Sequence, residues 1–327
     1  MPAKKKASES SRKIAKKAPS KRPARSGIAP EVRRAVLATD LSPAALGAAN
    51  AARFVRDTFG ATITILYVLD HSRDPHAPGA REQGEWRDRV EDEIARFADA
   101  HGLSGARIVL SEGEPAQRTL ETVKQSKADL VIAGRRGSHA TSAKALGTTA
   151  RRLVRKCPVS VLVARREFDG DVDRVGASTD LSAGADRAVR RAALIASKRG
   201  LKELHVLHAV EIPSGGFAAY SNEEFVAHRR QAATEQVGEL IETFGPGFGP
   251  SVRVEVGEGR SAEALASLAK ARRLDLLCVG AHGAGGTALL LGSTAERLLD
   301  LTPCSVWIEK SREDQRKLVE KLARLIG

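Results

Sequence analysis

The chain repeats itself, and that limits its fold more than any other feature. Val36-Leu37-Ala38-Thr39-Asp40-Leu41-Ser42 returns as Val175-Gly176-Ala177-Ser178-Thr179-Asp180-Leu181-Ser182, about 140 residues on. Ile65-Leu66-Tyr67-Val68-Leu69-Asp70 returns as Val206-Leu207-His208-Ala209-Val210-Glu211. Ala128-Asp129-Leu130-Val131-Ile132-Ala133-Gly134 is matched by Leu274-Asp275-Leu276-Leu277-Cys278-Val279-Gly280. Pro158-Val159-Ser160-Val161-Leu162-Val163 is matched by Pro303-Cys304-Ser305-Val306-Trp307-Ile308. The order is kept and the spacing drifts by only a few residues, which is the mark of a tandem duplication. Each copy is long enough to bury a core of its own.

Within a copy, short β-branched runs alternate with longer amphipathic ones. Strands are expected near 33–39, 62–69, 106–111, 129–134 and 159–164, with helices near 43–59, 83–101, 115–127 and 147–156. The second copy repeats the strands near 172–179, 202–210, 251–256, 275–280 and 304–309. Such alternation implies an α/β fold, a parallel sheet with right-handed crossovers and helices on both faces. Aromatic residues are only 4% of the chain, so the cores must be built from Ala, Leu, Val and Ile, as parallel sheets buried on both faces are. Ser42-Pro43 and Thr148 sit where helix N-caps are wanted, and Gly60 and Gly102 where C-caps are wanted.

The domain boundaries follow. Residues 1–30 form a basic tail, 31–166 the first domain, 167–171 an acidic linker, 172–310 the second domain, and 311–327 a charged amphipathic helix. That last helix places Leu318, Leu322, Leu325 and Ile326 on one stripe. The tail holds ten basic side chains and one acidic one, so it supplies +9 of the net charge of +13. Nearly free of large apolar residues, it cannot fold alone. It serves equally well as an arm for nucleic-acid backbones, held by counterion release, or as a solvated extension. No apolar stretch approaches the roughly 20 residues of a membrane span and none resembles a secretory leader, so the expected compartment is the cytoplasm. The three cysteines form no CxxC pair and the eight histidines no ligand spacing, so no metal site is expected from the protein alone.

The segment that carries chemistry follows the fourth strand. It reads Gly134-Arg135-Arg136-Gly137, then nine residues, then Gly147-Thr148-Thr149 at the start of a helix. Glycines let backbone approach a phosphate closely, and the helix start offers free N–H groups, the positive end of its dipole and two hydroxyls. No GxxxxGK[ST] occurs, and no GxGxxG follows the first strand, so neither a Walker loop nor the usual dinucleotide fold fits. Gly245-Pro246-Gly247-Phe248-Gly249 lies in a helix-to-strand connection and reads as a turn. Ligands on open parallel sheets bind at the carboxyl ends of the strands, where strand order reverses. Asp40 would face the glycine loop there, either to hold a ribose or a cation or, with Ser42, merely to cap the first helix.

Asp40-Leu41-Ser42, the Gly113-Glu114-Pro115 turn, G-x2-G-x9-G-[S/T] and the ending Cys157-Pro158-Val159-Ser160-Val161-Leu162-Val163 together resemble the universal stress protein family. The resemblance covers about 31–166 and about 171–310. It implies an adenine nucleotide alpha-hydrolase-like fold, with five parallel strands in the order 3-2-1-4-5 in each copy. It also implies ATP, with or without Mg2+, as a regulatory ligand in stress response, and pairing of the last strands across a two-fold, here within one chain or between two. By the same resemblance, Asp40 and Val68 contact ribose and adenine with Ala133 nearby, while Gly134, Gly137, Gly147, Thr148 and Thr149 hold the phosphates. The second copy offers Asp180, Ala209, Val279, Gly280, Gly283, Gly292, Ser293 and Thr294. Between Gly283 and Gly292 lie eight residues where the pattern has nine, which makes this the weaker site on spacing. His282 lies inside that loop. No nucleophile–base pair accompanies either loop, so the expectation is a binding protein with at most slow ATP hydrolysis. A scaffold that binds no nucleotide is the remaining alternative.

Overall fold

The computed structural model describes residues 29, 31–70, 83–137, 145–211, 222–245, 247–283 and 291–311. The basic tail and the C-terminal amphipathic helix lie outside the described residues. Copy one runs β1 (Arg34–Thr39), a 3-10 turn (Pro43–Ala45), α1 (Leu46–Phe59), β2 (Thr62–Leu69), α2 (Gln83–Ala100), β3 (Arg107–Glu112), α3 (Pro115–Ser126), β4 (Leu130–Gly134), α4 (Thr148–Lys156) and β5 (Ser160–Ala164). Copy two runs β6 (Val175–Thr179), α5 (Ala183–Lys198), β7 (Glu203–Val210), α6 (Asn222–Glu242), β8 (Ser251–Glu258), α7 (Ser261–Ala271), β9 (Leu276–Gly280), α8 (Ser293–Leu301) and β10 (Ser305–Glu309).

Each copy has its strands in the order 3-2-1-4-5, all parallel, as the alternation of elements requires. The two sheets are joined into one of ten strands, in the order β3-β2-β1-β4-β5-β10-β9-β6-β7-β8. The seam is the antiparallel pair β5–β10, with Leu162 opposite Trp307. The carboxyl ends of the strands in the two copies therefore point in opposite directions. Alternate side chains of every central strand enter opposite cores. Leu37 and Ile132 pack beneath α1 and α2, whereas Val36 and Val131 pack beneath α3 and α4. Both cores continue across the seam into copy two.

Four local expectations change. The first helix opens with the 3-10 turn, and Ser42 makes no side-chain cap; its hydroxyl donates to Asp40 Oδ1 at 2.7 Å instead. In copy two, Ser182 does cap its helix, accepting from Ala185 N at 3.3 Å. Thr148 is the first residue of α4 and Gly147 is the N-cap. Strand β6 begins at Val175 and not near 172, because the N–H groups of Asp173 and Arg174 donate to the Asp275 carboxylate. Finally, the acidic linker is docked along α1. Phe168 is buried edge-on against Phe54, and its carbonyl accepts from Asn50 Nδ2 at 2.9 Å. The chain presses closely here, since a Cβ on Gly47 would lie 1.7 Å from the Arg165 carbonyl oxygen.

Candidate functional site

The crevice opens at the carboxyl edge between β1 and β4. On one side stands Asp40, on the other the glycine loop. The turn after β1 is strained in the same way in both copies: Leu41 has φ of 57° and Leu181 of 64°, in the left-handed region that side chains disfavour. Short side-chain bonds hold the strain. Thr39 Oγ1 accepts from Leu41 N and Thr179 Oγ1 from Leu181 N, both at 3.0 Å. Asp40 Oδ1 accepts from Ser42 N at 3.1 Å and Asp180 Oδ1 from Ser182 N at 3.0 Å. Strain of this kind costs about 1–3 kcal/mol and concentrates at functional sites. Its effect here is to fix each aspartate at the mouth of its crevice.

The second glycine of each loop faces that carboxylate. A Cβ on Gly137 would lie 2.7 Å from Asp40 Oδ2, and one on Gly283 would lie 2.8 Å from Asp180 Oδ2. The last glycine closes the loop in both copies through the same bond, Gly147 N to Arg135 O and Gly292 N to Ala281 O, each 2.8 Å. Copy two has one residue fewer before its last glycine, yet the contacts of its second and last loop glycines match those of copy one. The inequality expected from spacing does not extend to these contacts.

The remaining predicted residues lie at strand ends and helix starts along the same edge. Val68 and Ala209 are half-buried near the ends of β2 and β7, while Ala133 and Val279 are buried in β4 and β9. Gly134 and Gly280 end those strands. Thr148, Thr149, Ser293 and Thr294 form the first turns of α4 and α8. Glycine at both N-caps has no side chain to accept from the first-turn N–H groups. In contrast, Glu114 caps α3 by accepting from Ala116 N and Gln117 N. Among the described residues no three His, Cys, Asp or Glu side chains gather to hold a metal ion. The three thiols are buried, and burial raises the pKa of each, Cys304 to about 12.

Two features escaped the sequence reading. Copy two braces the loop of copy one: Asp300 Oδ1 accepts from Leu146 N at 2.8 Å and the Asp300 carbonyl from Arg135 at 2.7 Å. Around this brace, Arg151 and Arg155 of α4 bind Glu296 of α8 at 2.6 and 2.7 Å. Burial raises the Glu296 carboxyl, but the two arginines outweigh it and hold the group below its ordinary value. The second feature is a cluster of arginines around Gly137, whose signal was an Arg-Arg pair directly after each of β4 and β5.

A duplicated, doubly wound α/β protein with a glycine cradle at each topological switch point is the class that fold and site define. The chain belongs to the universal stress protein family: that family's model matches residues 31–165 and again 172–310. A universal stress protein of Mycolicibacterium smegmatis is 29% identical over 223 residues, spanning 66% of this chain and 72% of that protein. The universal stress protein A homolog 1 of Coxiella burnetii is 29% identical over 140 residues, 41% of this chain and 95% of its own length. Among solved structures, a universal stress protein from Archaeoglobus fulgidus has the same fold, with a TM-score of 0.62 at 21% identity, covering 84% of this chain and 96% of that one. Among the described residues no helix is long and apolar enough to cross a membrane.

Proposed function

We propose that the protein binds an adenine nucleotide, ATP in the first instance, in its Asp-Gly crevices, as a regulatory ligand in stress response. One observation carries the reading. In both copies the second loop glycine leaves no room for a Cβ before the aspartate carboxylate, at 2.7 and 2.8 Å. A backbone kept bare at that point, beside a helix start whose N-cap is glycine, suits the close approach of a phosphate chain. Asp40 and Asp180 are the hydrogen-bond acceptors for a ribose. Val68 with Ala133, and Ala209 with Val279, supply apolar surface for a base. Gly137, Gly147 and the first turn of α4 hold the phosphates, with their counterparts in copy two. Bound Mg2+ would be carried by the phosphates, since no protein cluster gathers for it among the described residues.

The test is the nucleotide content of freshly purified protein, read by mass spectrometry, together with titration of ATP. Gly137→Val with Gly283→Val is expected to abolish binding while leaving the far-ultraviolet circular dichroism unchanged. Undiminished ATP binding by a folded double variant would falsify the reading.

A further inference from the structure

At the Gly137 side of copy one lies a cavity of about 240 Å³, lined by Ala44, Arg135, Arg136, Gly137, Arg165, Arg166 and Glu167. Four guanidinium groups and one carboxylate give its wall a formal charge of +3. At about 30 Å³ per water its volume equals that of about eight water molecules. That is small for a whole nucleotide and ample for a short chain of phosphates.

The cations are placed by the fold and not by chance. Arg135 follows β4 and Arg165 follows β5, adjacent strands whose carboxyl ends lie side by side. Each is pinned through one nitrogen to a carbonyl at the end of α8, Arg135 to Asp300 O and Arg165 to Thr302 O, both at 2.7 Å. A carbonyl orients a guanidinium without neutralising its charge, and the Asp300 and Glu167 carboxylates offset only part of the burial and repulsion that Arg135 meets. Arg135 is 6% exposed, and its pKa is lowered by burial and then by the charge of Arg165, so like charges have been brought together at some cost. Glu167, at 3.8 Å from Arg165, offsets one of them. No carboxylate among the described residues lies within ion-pair distance of Arg136 or Arg166. Copy two has nothing equivalent: Ala281, His282, Lys310 and Ser311 occupy the four positions. Lys310 is turned inward to the Cys157 carbonyl.

The geometry points to an oligophosphate-binding pocket in copy one alone, formed by Arg135, Arg136, Arg165 and Arg166. It adjoins the nucleotide crevice at Gly137 but does not depend on it. Its occupant is therefore either the far end of a nucleotide's phosphate chain or a free oligophosphate, with the same chemistry recognised in both cases. Planar guanidiniums with paired donors match phosphate oxygens well.

Calorimetric titration of the full chain with inorganic tripolyphosphate tests this. Arg136→Ala with Arg166→Ala is expected to weaken binding at least tenfold. A control with Arg87→Ala and Arg89→Ala, exposed on α2, removes the same charge and is expected to change affinity less than twofold. Equal affinities in the two variants would overturn the proposal, since binding would then reflect net charge alone. Repeating the titration with ATP present separates the sources. Competition assigns the pocket to a nucleotide's phosphate chain, and independent binding assigns it to a free oligophosphate. Tripolyphosphate binding kept in an Asp40→Ala, Asp180→Ala protein that has lost ATP binding would show the pocket standing by itself, since neither aspartate lines it. Loss of the pocket with ATP binding kept would sink only this inference.

Discussion

At the scale of single residues, the seam is held by a pair of cations in pseudo-symmetric positions. Arg165 donates to the Thr302 carbonyl and Lys310 to the Cys157 carbonyl, each at 2.7 Å. Arginine keeps its proton whatever its surroundings, whereas burial brings the Lys310 ammonium down to about 8. An unfolded lysine titrates at about 10.4, so below pH 8 both states are protonated and the full cost of burying the charge is paid. As pH rises above 8 the folded state loses its proton first, and stability increases. From pH 7 to pH 9 the gain from this group is about 1 kcal/mol. The three buried thiols act in the opposite sense above their unfolded values. Comparing the chain with its Lys310→Met variant by urea unfolding at both pH values isolates the lysine. Relative to the variant, the native chain is expected to gain about 1 kcal/mol between the two pH values; parallel pH profiles would show that Lys310 does not titrate in this window.

Among the elements, α4 and α8 show how the duplicated halves have diverged. They meet across the seam, and corresponding positions carry opposite charge, Arg151 against Glu296 and Arg155 against Asp300. Two identical copies would have faced arginine with arginine. Glu296→Arg should therefore destabilise the chain by about 1–2 kcal/mol, and adding Arg151→Glu and Arg155→Glu should recover at least half of that. No recovery in thermal melts would mean the charges are incidental. Much at this scale was legible in advance. Short β-branched apolar runs marked the strands to within three residues, and the glycine spacing marked both loops. What was not legible depended on contacts made across the seam. The Arg-Arg pairs after β4 and β5 carry no local signal that strand adjacency puts them around one cavity. Ser42 read as a cap because nothing local says that its hydroxyl will turn to Asp40. The shortened second loop read as a defect, although the ends that face Asp180 are kept.

For the molecule as a whole, the seam contains a buried polar group that belongs to both copies. Glu309 takes a bidentate pair from Arg191 at 3.0 and 3.1 Å, a bond from Trp307 Nε1 at 2.7 Å, and one from Ser160 of copy one at 3.2 Å. The Arg191 guanidinium lies over the rings of Trp307 and of Phe59, at 5.0 and 5.9 Å, and Phe59 comes from copy one. Copy one has Ala51, Leu162 and Ala164 where copy two has Arg191, Trp307 and Glu309. Glu309→Leu strands a buried cation and should cost about 3–5 kcal/mol. Adding Arg191→Met should restore most of it, because an apolar pair of similar volume replaces the ion pair. Each protein should unfold in one transition, since the network and both cores span the seam; separate melting of the halves would contradict that coupling.

The brace of α8 on the loop of copy one has a further consequence, for dosage. Where such a seam must form between separate chains, the fraction assembled falls on dilution, and any site it shapes falls with it. Here the linker laid along α1 keeps the two partners on one chain, at an effective concentration set by its length. The brace on Arg135 and Leu146 is thus in place equally well whether the protein is scarce or abundant.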